Sequence, residues 1–147
     1  MNNKKLSYKS FLKTFELIPR VAISLLIEDK QQNFILTKRA NEPFKNYWHL
    51  PGSFILKGEK LEECIIRIMK NEVGINLKNK QFEQVLINED LCNDPRGHVI
   101  DIICRINLDN QPKLKPIGDT KEIKFFDKLP RKIGFNHKEA LAKLGYK

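Results

Sequence analysis

The 147-residue sequence predicts an α+β fold, a central mixed β-sheet with few helices. Three observations carry this. Residues 19–28 (PRVAISLLIE) form an almost unbroken apolar and β-branched run, as expected of a strand covered on both faces. Residues 61–73 place Leu61, Cys64, Ile65, Ile68 and Met69 on one side at helical spacing. Five further short segments, bounded by Gly, Pro, Asn and Asp, alternate like strands.

Taken in order, residues 1–5 are expected to fray. Residues 6–17 (LSYKSFLKTFEL) set Leu6, Phe11, Leu12, Phe15 and Leu17 close to a helical stripe, which either packs on the domain or makes a dimer contact. The strand at 19–28 turns over 29–33, and residues 34–39 (FILTKR) return as its hairpin partner. A loop with Pro43 leads to a brief strand at 47–50. Then come the Pro51–Gly52 turn, a loop closed by Gly58, and the helix at 61–73, which Gly74 stops in a left-handed cap. Strands follow at 81–88, 98–108 and 122–126, with polar loops between them and a closing helix at 134–144 (GFNHKEALAKL).

Bulk properties narrow the function. No apolar run approaches the ~20 residues of a membrane span, and the N-terminus lacks a signal-peptide core, so a cytoplasmic location is the default expectation. Cys64, Cys92 and Cys104 show no metal-like pairing and read as reduced, mostly buried thiols. The net charge of +9 favours anionic partners, phosphates first. The lysines are scattered, with no basic run and no nucleic-acid motif, so no nucleic-acid partner is expected. A glycine-flanked loop leading into a helix that bears Glu59, Glu62, Glu63 and Glu72 is a seat for a hard divalent cation.

The spacing of this segment resembles the Nudix box, G-x5-E-x7-R-E-U-x-E-E-x-G-U, with U an aliphatic residue. Glu59, Arg67, Met69, Glu72, Gly74 and Ile75 fall on their positions, and the lead-in residues 47–52 (YWHLPG) and 38–41 (KRAN) look like that family too. Ser53, Ile68 and Asn71 depart from the pattern, the last two at positions that are usually magnesium ligands. The box, which keeps Arg and the last Glu, is similar to that of GDP-mannose mannosyl hydrolases. The residues 94–98 (DPRGH) and the C-terminal helix resemble Nudix hydrolases acting on ADP-ribose. The resemblance implies an α/β/α sandwich around the mixed sheet, with a helical extension over 1–18 and a Nudix domain over 19–147.

It further implies a hydrolase that cleaves a nucleoside diphosphate linked to a sugar or ribose with Mg2+, or Mn2+ in its place. The alternative is an impaired domain that binds such a nucleotide as a sensor. The implied metal ligands are Glu72 and the Gly52 carbonyl, joined by Asp119 or its rival Glu122. Glu59 and Arg67 complete the catalytic segment, with Arg67 bracing the loop through a neighbouring acid; Glu63, at i, i+4, can also pair with it. In the mannosyl hydrolases a Gln ligand and a His base align with Asp119 and Thr120, and a threonine hydroxyl cannot serve as that base. His98 is the candidate replacement, facing either cleft or core. His49 can point toward the site, and His137 is expected to cap or pack the last helix. Arg39 and Arg96 suit phosphate or ribose contacts, with surface ion pairs as the other reading. Ser53 and Trp48 join them as substrate contacts, although core packing also explains Trp48. A homodimer is possible, as is common in the family.

Overall fold

The computed structural model describes residues 5–77 and 81–147. The fraying expected of residues 1–5 falls, apart from Lys5, outside them. Within them seven strands make one mixed sheet: β1 (Arg20–Glu28), β2 (Phe34–Arg39), β3 (Trp48–His49), β4 (Gly52–Phe54), β5 (Glu83–Asp90), β6 (Val99–Asn107) and β7 (Thr120–Phe126). Its path runs β3-β2-β1-β6-β5, with β4 paired to β1 and β7 paired to β2. At its heart β1 and β6 run parallel along their full length, Arg20 opposite Val99 through Glu28 opposite Asn107.

β1 is buried on both faces, as its unbroken apolar run requires. Ile23, Leu25 and Ile27 join Ile35, Cys104 and the box helix in one cluster. Leu26 joins Phe34, Leu36, Trp48, Ile103 and the C-terminal helix in the other. Each fully buried Leu or Ile adds roughly 1.5–3 kcal/mol. The layers are therefore helix, sheet, helix.

Among the described residues three helices flank the sheet: α1 (Tyr8–Leu17), α2 (Leu61–Ile68) and α3 (His137–Lys143). α2 does not run unbroken to Val73. From Met69 to Val73 the chain widens into a π-turn, and Gly74 at φ 78° then caps it as expected. Ile68, only 1% exposed, lies in the core beside Cys64, Ile65 and Met69.

Two expectations need correction. The β1–β2 hairpin is joined only at its base, Glu28 opposite Phe34, because β1 turns to β4 while β2 takes β3 and β7 as partners. Residues 52–54, expected in a loop, form β4, with Gly52, Ser53 and Phe54 opposite Ser24, Ile23 and Ala22. Of the cysteines, Cys64 and Cys104 are buried thiols, but Cys92 is exposed. Among the described residues, no helix is long and apolar enough to cross a membrane.

Candidate functional site

The site begins at Gly52, where β4 leaves the turn. A Cβ there would sit 2.8 Å from the Ile23 carbonyl and 2.9 Å from Ser24 Oγ, so only glycine fits. This close approach lets the Gly52 N–H donate to Glu72 Oε2 at 3.1 Å. Glu72 reaches that position from the π-turn, one residue beyond Asn71. Burial pushes its carboxyl up to about 7, opposed by the Gly52 hydrogen bond and by Arg39 and Arg67.

Glu59 is held quite differently. Arg67 donates to both of its oxygens, Nε to Oε1 at 2.6 Å and Nη2 to Oε2 at 2.8 Å, and the Leu56 N–H adds a third bond. The same guanidinium reaches Ser53 Oγ at 3.0 Å and the Phe54 carbonyl at 3.1 Å. The Arg67 hydrogen bond lowers the Glu59 carboxyl from its ordinary value. Glu59 and Arg67 therefore lock the loop onto β4. Glu63 is not Arg67's partner: it accepts from the Lys60 N–H at 2.8 Å and caps α2.

A cleft of about 180 Å³ opens beside Gly52. Arg39, Arg96, Gly52, Ser53, Phe54 and Phe135 line it, with Ser24, His49, Asp101 and His137 among the deeper residues. Burial, then the neighbouring Arg96, lowers the Arg39 guanidinium. It donates to the Pro43 carbonyl and lies 5.1 Å from the Phe135 ring centre. Among the described residues no carboxylate makes an ion pair with it. Arg96 is clamped by Asp94, Nε to Oδ1 at 2.9 Å and Nη2 to Oδ2 at 2.7 Å.

Several candidates lie elsewhere. Trp48 does not line the cleft. It packs against Phe126 at 4.8 Å in the core cluster under α3, with Lys124 over its ring. The reason is register: Trp48 pairs with Lys38, whose side chain lies on that same ring. Glu122 is opposite Lys38 on β7 and is held by Lys38 at 2.8 Å and Lys124 at 3.7 Å. Those ammonium groups occupy the carboxylate that was a candidate ligand. Asp119 is exposed and accepts from Asn41 Nδ2 at 3.0 Å, in the loop beside Arg39. His98 is half-buried just before β6 and outside the cleft lining; its carbonyl accepts from the Arg20 N–H.

The cleft's histidines are His49 and His137. Burial, then His137, holds His49 well below the usual range, so its ring is neutral. The Leu50 N–H donates to His137 Nδ1 at 3.1 Å, which leaves the proton on Nε2 facing Asp101 Oδ2 at 3.2 Å. Ser24 Oγ donates to the same oxygen at 2.9 Å. Ser24, Asp101 and Phe135 escaped the sequence reading. Asp101 was detectable: one acid inside the apolar strand 98–108 needs a buried polar partner.

A metal needs convergent donors. Among the described residues no group of three His, Cys, Asp or Glu residues could hold one. The Glu72 carboxylate is held by the Gly52 N–H through Oε2, and its Oε1 is free of hydrogen bonds among the described residues.

Comparison with known proteins fits this architecture. The chain is 39% identical over 143 residues to an ADP-ribose pyrophosphatase of Methanocaldococcus jannaschii, covering 95% of this chain and 82% of that one. Its fold is that of a MutT/nudix family protein from Enterococcus faecalis, with a TM-score of 0.76 at 22% identity, over 94% of this chain and 68% of that one. It is likewise that of the NUDIX domain of Shewanella oneidensis NrtR, solved with ADP ribose, with a TM-score of 0.72 at 18% identity, over 95% and 97% of the two chains. Residues 18–143 match the NUDIX domain family, and with the loop, helix and glycine stop in place the chain belongs to the Nudix hydrolases.

Proposed function

We propose that this chain hydrolyses a nucleoside diphosphate joined to ribose or a sugar, with ADP-ribose as the foremost substrate and Mg2+ as its cofactor. The observation that carries the reading is the placement of Glu72 against Gly52, a residue of the cleft that Arg39 also lines. A half-buried guanidinium that no carboxylate ion-pairs among the described residues is suited to a phosphate, and the Glu72 carboxylate held at Gly52 is suited to a cation. The Methanocaldococcus jannaschii relative supports ADP-ribose over the GDP-mannose alternative.

In this reading Arg39 and Arg96 grip and neutralise the diphosphate. Gly52 holds one oxygen of Glu72 in place, and the Arg67–Glu59 brace fixes the loop against β4, which carries Ser53. Leu50, Phe54, Val99 and Phe135 keep bulk water from the rest of the ligand. Held by Glu72, the Gly52 carbonyl and substrate oxygens, with Asp119 as a further acid on the late loop, Mg2+ would screen the diphosphate and polarise a phosphoryl oxygen.

A second reading, a nucleotide sensor, has its own observation. Ile68 is in the core and Asn71 cannot carry charge, which leaves Glu72 alone of the box's last three acids. Incubation with ADP-ribose, GDP-mannose or dATP, with Mg2+ or Mn2+, separates the two. Turnover of ADP-ribose that is lost in Glu72→Gln supports the enzyme. Binding without turnover, unchanged in Glu72→Gln, supports the sensor.

A further inference from the structure

The match to the Nudix domain begins at residue 18, so α1 lies outside it. Yet α1 packs against two residues that line the cleft, Phe54 and Arg96. Phe11 and Phe15 pack edge to face at 5.2 Å, and each meets the cleft residue Phe54, at 5.4 and 5.5 Å. The Arg96 guanidinium sits over this cluster, 5.8 Å from Phe11, 5.6 Å from Phe15 and 5.2 Å from Phe54. Arg20 lies over the same three rings at 5.3, 5.8 and 5.2 Å and donates to Thr14 Oγ1 at 2.8 Å. The three rings thus attract two cations, and the aromatic faces offset the repulsion between them.

The contact is built for closeness. Gly97, next to Arg96, has φ +145°, and a Cβ there would lie 3.1 Å from Phe15 Cβ. Phe15, 9% exposed, is the buried residue of α1, whereas Tyr8 and Leu17 are open to solvent. Asp94 fixes the guanidinium in its plane and the phenylalanines support its face.

We propose that α1 is part of the substrate site: Phe15, with Phe11, positions Arg96 for the ligand's anionic portion. This inference rests on the nucleotide-binding reading above. Its consequence is that residues outside the family domain set substrate affinity through an arginine inside it.

The test is a double-mutant cycle of Phe15→Leu and Arg96→Lys in the full chain. ADP-ribose affinity is read by calorimetry without turnover, and KM and kcat are read with Mg2+. Arg96→Lys is expected to weaken binding roughly 10-fold and Phe15→Leu roughly 3- to 10-fold, with KM moving more than kcat. The double variant should bind about as weakly as Arg96→Lys alone, because the ring acts only through the guanidinium. Phe11→Leu, at a half-buried position, repeats the measurement should Phe15→Leu melt early. Additive losses, or parent-like binding by both phenylalanine variants beside a weakened Arg96→Lys, overturn this proposal alone. A parent that binds none of the nucleotides overturns the underlying reading with it.

Discussion

Glu59 and Glu72 stand at the two ends of the same loop-helix segment, and their surroundings have given them opposite characters. Glu59, its side chain 4% exposed, is saturated by Arg67 and the Leu56 N–H, and its carboxyl is lowered. Glu72 has one backbone donor in a buried setting, and its carboxyl is raised to about 7. The first is a strut with no oxygen to spare. The second, charged only reluctantly, gains most from a cation. The motif spells both as the same amino acid, and only the neighbours separate the brace from the carboxylate left with a free oxygen.

The largest effect tests the boundary between the two corners. Ile68→Glu restores an acid to the box but drives it into the core. The expected loss is about 4 kcal/mol or more, read by urea unfolding. A stable, manganese-binding Ile68→Glu variant would mean that α2 is turned differently. Next, Arg67→Ala strands Glu59 as a buried charge and should cost about 3 kcal/mol, because removing one partner of a buried pair leaves the other uncompensated.

The pH response then separates the corners by sign. Because the folded Glu72 lies at about 7 rather than at the ordinary 4.5, the native state holds this proton more tightly than the unfolded chain does. Its contribution is complete below about 4.5 and is lost as pH rises through about 7, at most about 3 kcal/mol. Metal-free protein should therefore melt lower at pH 8 than at pH 5.5, and Glu72→Gln should flatten that slope. Glu59, shifted the other way, contributes above its unfolded value and loses that contribution as acid protonates it. The same linkage makes Mn2+ binding strengthen up to about pH 7 and level off beyond it, seen by titration calorimetry. Smallest of all, Asn71→Glu at an exposed position should shift stability by no more than about 0.5 kcal/mol while tightening Mn2+ roughly 3- to 10-fold.

The loop-helix segment was legible because its information is local. The Gly52 turn, the apolar stripe through Ile68 and the left-handed stop at Gly74 each follow from a few neighbouring residues. Arg39 and Arg96 were also found by residue type, and both line the cleft. Trp48 and Glu122 were misplaced because strand pairing, not composition, decides which face a side chain joins. Lys38 pairs with both, and their shared side of the sheet is the one under α3.

By itself the sequence determined the order of most elements, the two-faced burial of β1 and the carboxylates available to the site. These depend on periodicity and on glycine geometry at fixed offsets. Tertiary structure alone decided that Arg67 takes Glu59 rather than Glu63, that Ser24, Asp101 and His137 meet, and that α1 backs Arg96. Those contacts join residues as far as 113 positions apart, and no local preference encodes which distant group arrives. The sheet's parallel β1–β6 pairing brings Ser24 and Asp101 together.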